Sequence, residues 1–232
     1  MFSFIVYDKF LEKVSCVRDR YGIKPMYYIK DGDKYLVASD IRTLISTKRN
    51  LKPNLSSVDK YLRYGMNDDN ENTFFEGIFR VKPGHHTEIS LNTLEFKEHK
   101  WYNLDDNLYN IEGNKERLIR DLDELLEDAV QLYTISDVDF GINLSGGVDS
   151  TLLYTYMSKQ TESFDAYTLD FDGYSERQWI NKYFEKGRLN VINNTEFNTI
   201  RWFNETMQYQ SEPYGGVMVL AYNNLYDEAK AK

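Results

Sequence analysis

The chain has 232 residues, enough for one large domain or two small ones. Its net charge of −9 argues against a broad nucleic-acid-binding face, which needs clustered basic residues. The single cysteine, Cys16, rules out a disulfide framework within the chain, and no apolar run approaches the ~20 residues a membrane helix needs. The opening Met1 to Phe10 lacks the basic, long apolar and small-residue segments of a signal peptide, so a cytoplasmic setting is expected.

The first part reads mostly as strands. Phe2 to Tyr7 and Val14 to Val17 are compact apolar runs. Asp31-Gly32-Asp33 separates Met26–Ile29 from Tyr35–Ala38, a hairpin signal. Ser39 is placed to cap a short helix through Ile45, and Ser56 or Ser57 another through Leu62. Strands resume at Gly77 to Val81, and Leu91 to Leu94 reads as a turn between two more. His85 and His86 read as part of a turn beside Pro83-Gly84. His99 stands alone, with no partner at zinc-like spacing, so no metal site is expected there.

Residues 105–114 are polar and turn-rich and read as a linker. Beyond it, helical and strand patterns alternate. Leu118, Leu122, Leu125, Leu126, Ala129 and Val130 give helical spacing over Lys115 to Tyr133. Val138, Phe140, Ile142 and Leu144 alternate as a strand, and a helix follows through Met157. Phe164 to Phe171 and Leu189 to Ile192 are two further strands. Ser175-Glu176-Arg177-Gln178 resembles a capping box opening a helix with Trp179, Ile180, Tyr183 and Phe184 on one face. Ile200, Phe203 and Met207 mark one more helix, and Met218 to Ala229 the last. Such alternation predicts a mainly parallel sheet with helices on its faces.

The chemistry lies between the strand ending at Leu144 and the next helix, in Ser145-Gly146-Gly147-Val148-Asp149-Ser150. Two glycines allow close backbone approach and positive φ. Successive amides and the helix N-terminus make an anion site. Ser145 and Ser150 add hydroxyls, and Asp149 offers an oxygen ligand to Mg²⁺ beside phosphates. The plainer alternative is a strand-to-helix turn with Asp149 or Ser150 as a cap. The loop is not a Walker loop, because no Gly-Lys-Ser/Thr is present.

The pattern Ser-Gly-Gly-x-Asp-Ser resembles the pyrophosphate loop of the ATP-pyrophosphatase superfamily. The stretches Arg18 to Tyr28, Ala38 to Ile45, Thr73 to Ile78, Pro83-Gly84-His85 and Leu125 to Val130 resemble, in order, the glutamine-hydrolysing asparagine synthetase family. The resemblance implies a fold class of α/β and α+β. A partial Ntn-type antiparallel β glutaminase domain would occupy 1–104. A partial Rossmann-like parallel-sheet ATP-pyrophosphatase domain would occupy 115–232. It also implies ATP and Mg²⁺ as cofactors. Leu144 would lie beside the nucleotide, the loop from Ser145 to Ser150 would hold pyrophosphate, Asp149 would approach Mg²⁺, and Leu169 would pack on adenine. Plain sheet core is the other reading of Leu169. Implied substrates are ATP, an acceptor carboxylate (aspartate or a relative) and ammonia from glutamine. Other ligases of the superfamily, or a nucleotide-binding module without chemistry, are the alternatives. Asp170 and Asp172 follow the second strand of this domain and read as a solvated loop. Glu212-Pro213 resembles an acidic-Pro stretch without a clear role.

Two departures shape the expectation. The family's glutaminase uses an N-terminal cysteine, whereas this chain opens Met1-Phe2-Ser3-Phe4 and aligns with the middle of that domain. Cys16 sits inside a strand-like run and reads as a core thiol. In relatives a Ser-Gly-x-Gly-x-Asp-Glu loop follows the region where this chain ends. The expectation is therefore a partial enzyme with no catalytic residue of its own. Its strand edges would favour a complementary chain or a homodimer.

Overall fold

The computed structural model describes residues 1–48, 50–108, 113–193, 199–213, 216 and 218–230. It divides into two compact units, Met1–Asn110 with Gln210–Tyr214, and Ile111–Tyr209 with Gly215–Lys232. Residues 109–112 of the expected linker lie outside the described residues; Asp105–Asn107 before them form a single 3₁₀ turn.

The first unit contains two antiparallel sheets. Strands β1 (Ser3–Asp8), β2 (Lys13–Arg18), β6 (His85–Ser90) and β7 (Phe96–Lys100) form one, in the order β1-β2-β6-β7. Strands β4 (Lys34–Ala38), β3 (Tyr27–Asp31) and β5 (Ile78–Arg80) form the other. The β3–β4 hairpin closes with Asp31 opposite Lys34, leaving Gly32 and Asp33 as its two-residue turn. Gly32 has φ +61°, a value open to glycine at little cost. The sheets meet through Cys16, Met26 and Val81. The Tyr28 and Phe96 rings add a contact, with centroids 4.9 Å apart.

Two short helices cover the smaller sheet's core of Ile29, Ile41, Leu44 and Ile78 or flank it, namely α1 (Ile41–Ser46) and α2 (Leu55–Tyr64). Their caps differ from expectation. Asp40, not Ser39, accepts the Arg42 amide, and Asn54, not Ser56 or Ser57, accepts the Ser57 amide. A carboxylate or amide oxygen reaches the free first-turn amides as well as a hydroxyl does, and each sits one residue before its helix. His85 and His86 also correct the sequence reading, since they begin strand β6 rather than lie in a turn.

Cys16 is 1% exposed, and burial pushes its thiol pKa up to about 11. A thiol so protonated and covered is a poor nucleophile. A thiol-reactive dye should therefore label the native chain at least a hundredfold more slowly than the denatured chain. Equal rates would show that β2 opens readily.

In the second unit α3 spans Lys115–Tyr133, with Asn114 as its cap. Then come β8 (Gly141–Asn143), α4 (Val148–Gln160), β9 (Asp165–Phe171), β10 (Tyr174–Ser175), α5 (Arg177–Ile180), β11 (Arg188–Asn193), α6 (Thr199–Tyr209) and α7 (Met218–Lys230). β8 and β11 run parallel to β9, while β10 is antiparallel to it, so the sheet is mixed. β11 pairs with β9 along one edge, which leaves β8 and β10 to share the other edge at opposite ends.

Strand β8 is shorter than the alternation from Val138 predicts. β9 and β11 both begin level with Gly141, so Val138 and Phe140 have no neighbouring strand and stay exposed. A side chain at Gly141 would also meet the Asp165 carbonyl at 2.8 Å. Helix α5 is likewise a single turn, with no side-chain cap from Glu176. Ser175 belongs to β10, although its Oγ still accepts the Arg177 amide at 3.3 Å.

Ala166 joins a core cluster with Ile142, Leu144, Tyr154 and Met157, and α7 packs against β9 and β11. Successive strand residues face opposite sides. Tyr167 shares a cavity with Leu225 of α7, so helices flank both faces. Among the described residues no helix is long and apolar enough to cross a membrane.

Candidate functional site

Leu144 continues β8, its amide donating to the Tyr167 carbonyl at 2.8 Å, and its side chain is buried. The chain then turns through Ser145, Gly146 and Gly147 into α4. Two serines tie the turn to the helix. The Ser150 hydroxyl donates to the Ser145 carbonyl at 2.8 Å and lies 2.9 Å from the Ser145 hydroxyl. It also accepts the Ser145 amide at 3.2 Å. Ser145 Oγ accepts the Gly147 amide at 3.3 Å, and Tyr183 donates to the Ser145 carbonyl at 3.0 Å.

Gly147 is the N-cap residue and provides no side chain to the first helical turn. Gly146, Gly147, Val148 and Asp149 are exposed. A 13-residue helix thus points uncapped, accessible amides outward from a tight turn. These are the elements of an anion site, with the positive end of the helix dipole behind them. The turn also lies at the carboxyl end of β8, where open α/β sheets bind ligands.

The glycines work differently from expectation. Neither Gly146 nor Gly147 has positive φ; Gly147 is extended at φ −80°, ψ 162°. Their requirement is space. A Cβ at Gly146 would stand 3.0 Å from Trp179 Cβ and 3.2 Å from its Cδ1. A Cβ at Gly147 would stand 3.3 Å from Ser145 Oγ.

Leu144, Ser145 and Leu169 line one cavity of about 230 Å³, with Thr168, Tyr174, Glu176, Tyr222 and Leu225 among its other walls. Val148, Asp149 and Ser150 lie outside that lining. The volume is below the roughly 300–1,000 Å³ of drug-sized ligand sites, so it suits a ring more than a whole nucleotide. Thr168, whose buried hydroxyl has no hydrogen-bond partner among the described residues, alternates onto the Ala166 face of β9, opposite Tyr167 and Leu169. A larger hollow of about 700 Å³ lies at the amino ends of β9 and β11, among Asp137, Asp139, Glu162 and Asp165. It is at the wrong end of the strands and too acidic for phosphates.

Residues 1–102 match the family model described as a glutamine amidotransferase domain, and residues 121–232 match the asparagine synthase model. The chain belongs to the glutamine-hydrolysing asparagine synthetase family. Within it, the chain is 34% identical over 171 residues to glutamine-hydrolyzing asparagine synthetase 2 of Bacillus subtilis, covering 70% of this chain and 23% of that one. A putative asparagine synthetase of Methanocaldococcus jannaschii is 29% identical over 186 residues, 78% of this chain and 36% of that one. The amidase chry2 of Gibberella zeae is 29% identical over 194 residues, 74% of this chain and 27% of that one. The chain thus spans between 23% and 36% of the length of these three relatives.

For this asparagine synthetase-family chain, sequence reasoning missed three groups around the loop. Trp179 covers Gly146, Lys182 sets its amine 3.9 Å from the Trp179 ring centroid, and Tyr183 holds Ser145. Trp179 and Tyr183 were legible only as an apolar helix face, and Lys182 gave no signal. Asp170 is more than a solvated loop residue. One of its oxygens is buried without a partner, and the other lies 4.0 Å from Arg177. Glu212 pairs with Arg80 at 2.7 Å and accepts the Phe74 amide at 2.9 Å, all within the first unit.

Proposed function

We propose that this chain carries the ATP-capturing portion of an asparagine synthetase-type amidotransferase. In the whole enzyme, ATP adenylates a carboxylate, aspartate first among candidates, and ammonia from glutamine displaces AMP. The observation that carries this reading is the uncapped, serine-laced turn at the carboxyl end of β8, set beside a small apolar cavity. Ser145, Gly146, Gly147, Val148, Asp149 and Ser150 would hold the phosphates. Leu144 and Leu169 would flank the base. The exposed Asp149 in the first turn of α4 fits Mg²⁺, which takes one or two carboxylates together with substrate phosphates.

In this reading residues 1–104 are glutaminase-type with an Ntn-like arrangement, 105–114 connect, and 115–232 form a Rossmann-like synthetase portion. The setting is cytoplasmic. Edge strand β1 exposes Phe4, Ile5, Val6 and Tyr7, which supports pairing with a complementary chain or a second copy.

Calorimetry with Mg-ATP tests the reading. The chain should bind, and Asp149→Ala should weaken binding about tenfold or more, chiefly by removing its Mg²⁺ dependence. A folded, monodisperse chain that takes up no Mg-ATP would overturn the proposal.

A further inference from the structure

Outside the loop, the larger sheet of the first unit assembles a second set of ligand-bearing side chains. β6 and β7 pair with His86 directly opposite His99. Directly opposed residues share a face, with Cβ atoms about 4.5–5.5 Å apart. Glu88 follows His86 by two positions and so lies on that same face. One ligand atom from each of the three lies within 4.8 Å of the others, the one such cluster among the described residues. His99 Nε2 is 3.7 Å from Glu88 Oε2, and His86 Nε2 is 4.0 Å from Glu88 Oε1.

The two imidazoles stack at 4.6 Å between centroids and 17° between planes, and neither hydrogen-bonds another described residue. Glu88 Oε1 meets the Lys13 amine at 2.5 Å. That ion pair accounts for one oxygen and leaves Oε2 turned to His99.

We propose that His86, His99 and Glu88 form a binding site for a divalent transition-metal ion of the Zn²⁺ class. Two imidazole nitrogens and one carboxylate oxygen make a ligand set that Zn²⁺, Cu²⁺ or Ni²⁺ accepts, whereas Mg²⁺ and Ca²⁺ prefer oxygen alone. Bonds of about 2.0–2.2 Å place tetrahedral ligands roughly 3.3 Å apart. One ligand atom from each of the three lies within 4.8 Å of the others, so they must close in by at most about 1.5 Å. Rotation about the soft terminal torsions of histidine supplies the difference without moving the strands. His99 is exposed, which gives an ion and a completing water access. The bound ion would clamp edge strand β7 to β6. This site uses no residue of the nucleotide loop and stands whether or not ATP binds.

Zn²⁺ calorimetry on the untagged full chain, with Co²⁺ absorption as a coordination reporter, tests the proposal. One-to-one binding is expected, with at least a tenfold loss in His86→Ala and His99→Ala and a smaller loss in Glu88→Gln. His85→Ala should bind as the parent does. Its side chain lies on the other face of β6, with Nδ1 2.7 Å from the Pro83 carbonyl. His99→Phe keeps a stacked ring but no ligand, so it must also lose binding while circular dichroism shows a folded chain. It decides the matter if His86→Ala fails to fold. Absence of saturable binding by the parent, or equal binding by His99→Phe, overturns the site.

Discussion

Arg18→Ala should destabilise the first unit by about 3–5 kcal/mol, the largest effect expected of any single truncation there. Arg18 is 9% exposed, and its guanidinium serves three carbonyls. Nε donates to Lys24 at 3.0 Å, Nη1 to Val81 at 2.6 Å and Nη2 to Gly22 at 2.7 Å. Alanine would leave those acceptors in a partly buried loop with only such water as can enter. Arg18→Lys should recover less than half, because one ammonium cannot reach three acceptors held in a fork.

The neighbouring Asp19 explains why the loop cannot simply relax. Its carboxylate accepts the amides of Phe2, Tyr21, Ile23 and Lys24. Burial acts to raise its pKa, and the four amides together outweigh it, so the net shift is below the usual carboxylate range. With Asp19 fixing the amides and Arg18 the carbonyls, residues 19–25 are held from both sides. Gly22 fits at φ +66° against the guanidinium itself. Hydrogen exchange of the β2 and β3 amides is the measurement, with protection expected to fall a hundredfold or more. Protection retained within tenfold would show that the loop is not anchored this way.

Much of this was legible in the residues, and the failures have physical reasons. The β3–β4 hairpin and α3 follow from local signals, a turn glycine in one case and long apolar periodicity in the other. Alternation predicts β8 too long because Val138 and Phe140 say nothing of whether a neighbouring strand reaches them. The same limit hid the histidine pair. His86 and His99 are 13 positions apart, and only the β6–β7 register makes them neighbours. At the loop, the six-residue pattern located the turn, but the need for Gly146 comes from Trp179, more than 30 positions away.

Gly146→Val should reduce Mg-ATP affinity about a hundredfold, equivalent to roughly 2.7 kcal/mol, with little loss of global stability. The first added carbon already meets Trp179 at 3.0 Å, and the two methyls of valine extend further. Trp179 is 51% exposed, but its Cβ is fixed by the backbone. Its amide bonds to the Glu176 carbonyl at 2.9 Å, and the next residue, Ile180, is fully buried in the core cluster. The exposed turn is the softer partner, so it should move instead. That would pull Ser145 from Ser150 and re-aim the first amides of α4. Gly146→Ala should cost about tenfold, since one methyl asks for a few tenths of an ångström. The double variant Gly146→Val with Trp179→Gly, which removes both the Cβ at 3.0 Å and the indole, separates two causes. If collision with Trp179 displaces the turn, removing that side chain should restore at least tenfold in affinity. If the valine instead covers the surface where phosphate would sit, the double variant should bind no better than the single one. A Gly146→Val chain that binds as tightly as the parent would show that the phosphates do not approach this turn at all. The loop would then be a strand-to-helix connection and no more.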